Sequence, residues 1–154
     1  LGINENNLRK MRRAMYEVVN NRRGTGYRSR IIADEFRMAG KTGTSQVRNI
    51  TTAERARGVT SNADLPWERR DHALFVSFAP YDKPRFAVSV LVEHGGGGST
   101  AAAPIARDVM LQALADGEPP LEAYPTADRG RIKTQQRKLR EMQPQAAIDG
   151  EDQA

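Results

Sequence analysis

Two segments, His72 to Ala79 and Arg85 to Glu93, constrain this chain more than any other part of it. Both are runs of β-branched and aromatic residues, and Pro80-Tyr81-Asp82-Lys83-Pro84 between them has the composition of a turn, so the pair reads as an antiparallel hairpin. Successive side chains of a strand alternate between its two faces. Leu74, Val76 and Phe78 therefore share one face, and Ala73, Phe75 and Ser77 the other. In the second strand Phe86, Val88, Val90 and Val92 oppose Ala87, Ser89 and Leu91. Both faces are largely apolar, so both must be covered, and the hairpin belongs near the middle of a larger sheet flanked by helices.

The flanking sequence supplies the helices. Leu8, Met11, Met15, Val18 and Val19 recur at helical spacing, with Arg9, Lys10, Arg12 and Arg13 on the other face and Asn4 placed to cap the start. Asn20, Asn21, Gly24 and Gly26 supply the stop. After the hairpin, Gly95 to Gly98 lead into Ser99 and Thr100, natural caps for a helix with Pro104 in its first turn. Ile105, Val109, Met110 and Leu114 are spaced for its buried face, and Gly117 ends it. Phe36 to Val47 reads as a third strand with glycines in its middle, and Arg48 to Asp71 as a long polar loop with one helical turn at Thr52 to Arg57. The fold class expected is α+β, three adjacent antiparallel strands with the first and last helices packed on them. Residues 118–154 carry Pro119, Pro120, Pro125 and Pro144 and few apolar anchors. The division expected is a folded 1–117 and a mostly disordered, charged 118–154, with a short helix around Lys133 to Met142.

Composition excludes several classes. With no cysteine among 154 residues, a disulfide-stapled or zinc-thiolate protein is ruled out. The longest nearly unbroken apolar run, Phe86 to Val92, falls far short of the roughly 20 residues that span a bilayer. The chain opens on Leu1 rather than Met, and is read as part of a longer protein whose remainder would carry any signal or anchor. The net charge of +5 is uneven, with 18 basic and 12 acidic residues up to Gly117 but 6 basic and 7 acidic beyond it. Between Arg9 and Arg30 eight basic residues meet a single acid, Glu17. Such a stretch suits a polyanion, an anionic membrane surface or an acidic partner, and equally a solvated helix face. A nucleic-acid-binding or partner-binding module is thus the alternative function, although the stretch lacks interleaved aromatic residues and a recognisable reading helix.

The densest chemistry lies in Ala39-Gly40-Lys41-Thr42-Gly43-Thr44. Gly40-Lys41-Thr42 invites a phosphate-loop reading, but that loop needs glycine where Glu35 stands, and Ser45-Gln46-Val47 continues extended chain instead of opening a helix. The other reading is the Lys-Thr-Gly element of the active-site serine acyl-transferases. A strand carrying that triplet sets a cation and hydroxyls in a row beside an anionic substrate terminus, and glycine lets a substrate backbone lie close. Two histidines, His72 and His94, bracket the hairpin. A zinc pair with Asp71 or Glu93 would lack a convergent third ligand, so no metal is expected and both are read as strand-end histidines bonded to neighbouring backbone. Trp67 is expected to anchor its loop on the domain.

The surrounding residues narrow the reading further. Arg37-Met38-Ala39-Gly40-Lys41-Thr42-Gly43-Thr44-Ser45-Gln46-Val47, then Asp64-Leu65-Pro66-Trp67, Asp71 through Tyr81, and Val92-Glu93-His94-Gly95 to Ser99 carry a resemblance. Over about Leu1 to Gly117 the chain resembles the C-terminal part of the transpeptidase domain of the class B, elongation-specific penicillin-binding proteins, the penicillin-binding protein 2 family. The resemblance implies the serine β-lactamase/penicillin-binding transpeptidase fold, whose five-stranded sheet is completed by strands absent here, and a serine-type D-Ala-D-Ala transpeptidase or carboxypeptidase activity for the intact protein. It implies no cofactor. Lys41 would help hold the substrate carboxylate and support the active-site proton network, Thr42 and Thr44 would hydrogen-bond that carboxylate, Gly43 would keep the strand accessible, and the Thr44 N–H would form half of the oxyanion hole. Peptidoglycan stem peptides and β-lactam antibiotics would be the ligands, cell-elongation synthesis proteins the partners, and the periplasmic side of the bacterial inner membrane the location. The family also needs a Ser-x-x-Lys nucleophile and a Ser-x-Asn. None of Ser29, Ser45, Ser61, Ser77, Ser89 and Ser99 has Lys three positions on or Asn two positions on. The expectation is one wall of an active site, inactive alone, whose other wall comes from the N-terminal part of the same protein.

Overall fold

A computed structural model describes residues 2–142. The first helix, α1 (Glu5–Asn20), starts where the Asn4 side chain accepts a hydrogen bond from the Asn6 N–H at 2.9 Å. It ends in a turn that folds back on it: the Gly26 N–H donates to Val18 O, and a Cβ on Gly24 would stand 2.2 Å from that same oxygen. The Asn20 side chain then donates to Tyr16 O and, at 2.9 Å, to Met38 O, tying the helix to the chain entering β1 (Ala39–Ser45).

After β1 the polar loop forms the expected helical turn as α2 (Thr52–Arg57), capped by the Thr51 hydroxyl, and two short 3-10 turns. The hairpin follows as β2 (His72–Ala79) and β3 (Phe86–Val92). The sheet order is β1-β2-β3, antiparallel throughout, as expected. The register sets Thr42 opposite Phe75 and Thr44 opposite Ala73, and sets Lys41 opposite Val76 and Gly43 opposite Leu74. Directly opposed residues share a face, so the core face carries Phe75, Ala73, Val90 and Val92. On the other face Val76 and Leu91 are exposed.

The last helix of the sheet layer differs in detail from the expectation. A π-helical turn at Gly98–Ala102 leads into α3 (Ala103–Leu114), and neither Ser99 nor Thr100 caps it with a side-chain hydrogen bond. Its buried stripe is Ala103, Ala106, Arg107, Met110, Leu111 and Leu114, whereas Ile105 and Val109 are exposed. Small residues enter this face at its start, where Ala102, Ala103 and Ala106 are fully buried, and Met110, Leu111 and Leu114 continue it.

The larger correction concerns 118–142, expected to be mostly disordered. Ala123 and Tyr124 are core residues, and the Ile32 N–H donates to Ala123 O at 2.8 Å. A long helix, α4 (Thr126–Met142), follows, burying Ile132 and Gln136. The proline spacing was misleading, since Pro119 and Pro125 are themselves buried. What holds the segment is charge as well as apolar contact. Arg107 is fully buried, with Asp128 of α4 and its own neighbour Asp108 as ion-pair partners and its guanidinium 5.3 Å from the Tyr124 ring centroid. The rest of the expected tail, 143–154, lies outside the described residues.

Candidate active site

Lys41, Thr42, Gly43 and Thr44 all stand on β1, which pairs with β2 on one side and, among the described residues, with nothing on the other. On an edge strand every second N–H and C=O points away from its one partner, so this strand offers both hydrogen-bonding groups and side chains to whatever lies beside it. Lys41 is exposed, and its Nζ donates to Thr42 O at 2.8 Å. Thr42 is half-buried and its hydroxyl lies 2.8 Å from that of Thr25, in the turn after α1. Thr44 is exposed. A Cβ at Gly43 would come 3.2 Å from Leu74 Cβ, a tight contact within the ladder.

A second glycine matters more. A Cβ on Gly98 would fall 2.3 Å from Leu74 O and 2.4 Å from Gly43 O. The turn that opens the π-helical segment thus lies flat on the backbone of the Lys-Thr-Gly strand, where only glycine fits. No sequence pattern singles out this position among four consecutive glycines.

Asp71 is the second residue whose role the sequence hid. Its carboxylate accepts from Asn62 Nδ2 at 3.1 Å and from the Val47 N–H at 3.3 Å, its N–H donates to Asn62 Oδ1, and its carbonyl accepts from the Gly96 N–H. It therefore ties together the chain leaving β1, the polar loop and the segment after β3. Within that loop Arg48 and Glu54 form a two-point ion pair, with both N–O distances 2.7 Å. The Arg48 guanidinium holds the Glu54 carboxyl down at about 2, below the ordinary carboxylate range, and the Arg48 pKa is raised in turn.

The histidines behave as strand-end residues. The His94 N–H donates to His72 Nδ1 at 2.9 Å, and His94 Nδ1 donates to Arg70 O at 2.9 Å, so each Nδ1 is already engaged. His94 adopts φ +52°, which turns the chain out of β3. Trp67 meets the His94 ring edge-on with centroids 4.5 Å apart, anchoring the loop as expected although Trp67 itself stays half-exposed. Of the basic stretch, Arg12 lies over Phe78 and Tyr81 and donates to Tyr81 O, and Arg30 lies 3.9 Å from the Tyr27 ring centroid.

This arrangement can be set beside known proteins. The penicillin binding protein transpeptidase domain matches residues 1–111. The peptidoglycan D,D-transpeptidase MrdA of Haemophilus influenzae is 43% identical over 113 residues, which cover 73% of this chain and 17% of that protein. MrdA of Acinetobacter baumannii is 42% identical over 93 residues, covering 60% of this chain and 13% of the relative. The chain thus spans less than a fifth of these relatives. Among solved structures, penicillin-binding protein 2 of Pseudomonas aeruginosa, in complex with WCK 5153, superposes with a TM-score of 0.55 at 33% identity over 81% of this chain and 22% of that one. The Helicobacter pylori protein of the same name, in complex with MreC, gives 0.54 at 34% identity over 71% of this chain and 17% of its own. With the family's domain matched over residues 1–111, and a helix, an edge strand bearing Lys41 to Thr44, a hairpin and a closing helix inside that span, the chain belongs to the penicillin binding protein transpeptidase family.

Proposed function

We propose that the protein containing this chain is a peptidoglycan D,D-transpeptidase of the cell-elongation type, and that this chain forms the Lys-Thr-Gly wall of its active site. The observation that carries the reading is the position of Lys41 to Thr44 on a strand whose outer edge is unpaired among the described residues. Lys41 supplies a cation for the terminal carboxylate of the donor peptide and supports the proton network, and the Thr42 and Thr44 hydroxyls hydrogen-bond that carboxylate. The Thr44 N–H forms half of the oxyanion hole, where one such donor stabilises the transition state by about 2.7–4 kcal/mol. The nucleophile is a serine of the N-terminal part. Its hydroxyl oxygen attacks the penultimate D-alanine carbonyl, the C–N bond breaks, and the terminal D-alanine leaves carrying the proton. An amine of a neighbouring stem peptide then takes the acyl group and frees the serine. Penicillins enter by the same route, as β-lactams whose ring opens on that serine.

The site so placed works on the periplasmic side of the inner membrane, with an anchor in the N-terminal part and a partner of the kind seen in the Helicobacter pylori complex. The test is covalent labelling with a tagged penicillin. The intact protein is expected to take up one label, the 154-residue chain none. Lys41→Ala in the intact protein is expected to slow acylation by about one to two orders of magnitude, the worth of a charge-assisted hydrogen bond of roughly 1.5–3 kcal/mol. Undiminished labelling of that variant removes Lys41 from the mechanism, and stoichiometric labelling of the isolated chain overturns the division of the site.

A further inference from the structure

The basic stretch is not uniformly engaged. Arg9 bonds Asn6, and Arg12 and Arg30 stack on aromatic rings. Arg22 and Arg28, by contrast, are exposed and make neither an ion pair nor a side-chain hydrogen bond among the described residues. Both line a recess of about 270 Å³ whose remaining polar groups include the hydroxyls of Thr25, Ser99 and Thr100, and no acidic residue lines it. Two guanidinium groups and three hydroxyls with no counter-charge leave a local positive potential of the kind that recruits an anion. The planar, multi-donor guanidinium matches a carboxylate in particular.

The recess adjoins the Lys-Thr-Gly strand at two points. Thr25, on its wall, has its hydroxyl 2.8 Å from that of Thr42. Ser99, also in its lining, directly follows Gly98, whose Cα lies on the Gly43–Leu74 pair so closely that a Cβ would stand 2.4 Å from Gly43 O. A ligand running along Lys41 to Thr44 therefore passes beside the recess.

We propose that this recess is an anion subsite for a second carboxylate of the peptide substrate, one distinct from the terminal carboxylate held by Lys41, Thr42 and Thr44. The proposal rests on the transpeptidase reading above and adds a determinant of which peptides are accepted. Arg22 and Arg28 would bind the carboxylate, and the Thr25 hydroxyl would link its occupancy to the orientation of Thr42.

The test uses the full-length protein, an acceptor amine and two synthetic peptides ending in D-Ala-D-Ala. One keeps its internal carboxylates free and the other carries them as carboxamides; the readout is the ratio of kcat/KM for D-alanine release. The unaltered protein is expected to favour the carboxylate peptide about tenfold, the low end for a partly exposed charge-assisted contact. Arg22→Gln with Arg28→Gln should bring the ratio to about one, and the paired lysine substitutions should retain part of the preference, which a merely structural role would not predict. Equal use of the two peptides by the unaltered protein overturns the subsite, as does a ratio unchanged in the glutamine variant, or no release from either peptide by a protein that penicillin labels. A full-length protein that penicillin fails to label contradicts the underlying transpeptidase reading instead, so the two failures are distinguishable.

Discussion

Helices α1 and α3 both pack on the sheet, yet they treat their apolar stripes in opposite ways. The stripe on α1 is the more obvious in sequence, but only Val19 at its end is fully buried, while Leu8 and Met11 are 49% and 60% exposed. The stripe on α3 joins two alanines to Met110, Leu111 and Leu114 and is interrupted by an arginine, and Ala103, Ala106, Arg107, Met110 and Leu111 are all fully buried. The difference lies in the neighbours. α3 has the sheet on one side, and 118–142 reaches it through Asp128 and Tyr124. The N-terminal half of α1 has no such cover among the described residues. Periodicity identifies which face prefers burial; whether it is buried depends on what else the chain brings to it.

The strongest way to break the contrast is to remove the cover from α3. Truncation after Gly117 deletes Asp128 from the buried Arg107 and removes Tyr124 and Ile132 from the core. Asp108 still pairs with Arg107, but the loss of the buried Ile132 side chain alone costs about 2–5 kcal/mol. The truncated protein should lose at least that in urea unfolding of the intact protein, and an unchanged midpoint would return 118–142 to the status of a dispensable tail. Next in size, Met110→Ala in the intact protein should cost about 2–5 kcal/mol, because the side chain is fully enclosed.

Gly98→Ala should cost about 1–3 kcal/mol through overpacking, since its Cβ meets backbone oxygens that cannot swing away. Because those oxygens belong to the Gly43–Leu74 pair, this variant should also slow penicillin acylation, whereas Met110→Ala should leave acylation of the folded fraction intact. Equal acylation in both would separate Gly98 from the site. A smaller effect is set by pH. The Glu54 carboxyl, held down at about 2 by Arg48, has a folded pKa below its unfolded value, so its contribution is full above about 4.5 and is lost as the pH falls toward 2. Amide exchange in 48–60 should rise across that window, and Glu54→Gln should abolish the pH dependence. The smallest effect sharpens the comparison directly. Met11→Ala, the counterpart of Met110→Ala on α1, should change the stability of the isolated chain by less than about 0.5 kcal/mol. A cost of about 2 kcal/mol or more in the intact protein would show that the stripe acquires cover there.

Several features were legible from residues alone because they depend on short-range rules. The hairpin, the order of its strands with the Lys-Thr-Gly strand, the Asn4 cap and the helical turn at Thr52–Arg57 all follow from side-chain alternation, turn composition and capping. The position of Lys41 to Thr44 on a strand was readable for the same reason. Asp71, Gly98 and Arg107 were not, because each acts through residues distant in sequence: Asp71 through Val47, Asn62 and Gly96, Gly98 through Gly43 and Leu74, and Arg107 through Tyr124 and Asp128.

The segment after Gly117 marks the boundary between the two kinds of information. Its prolines and charges satisfy every local criterion for a chain without a core of its own, and by itself it has none. It folds because the guanidinium of α3 takes Asp128 as a second carboxylate beside Asp108, the Ile32 N–H between α1 and β1 finds its acceptor in Ala123 O, and the core offers an apolar surface for Ala123, Tyr124 and Ile132. Sequence alone determined the elements and the place of the Lys-Thr-Gly triplet on a strand, since alternation and capping are properties of neighbours along the chain. Tertiary structure alone decided which charges are buried, which glycine must lie against the Lys-Thr-Gly strand and that 118–142 joins the core, since each of those is a relation between surfaces that meet only after folding.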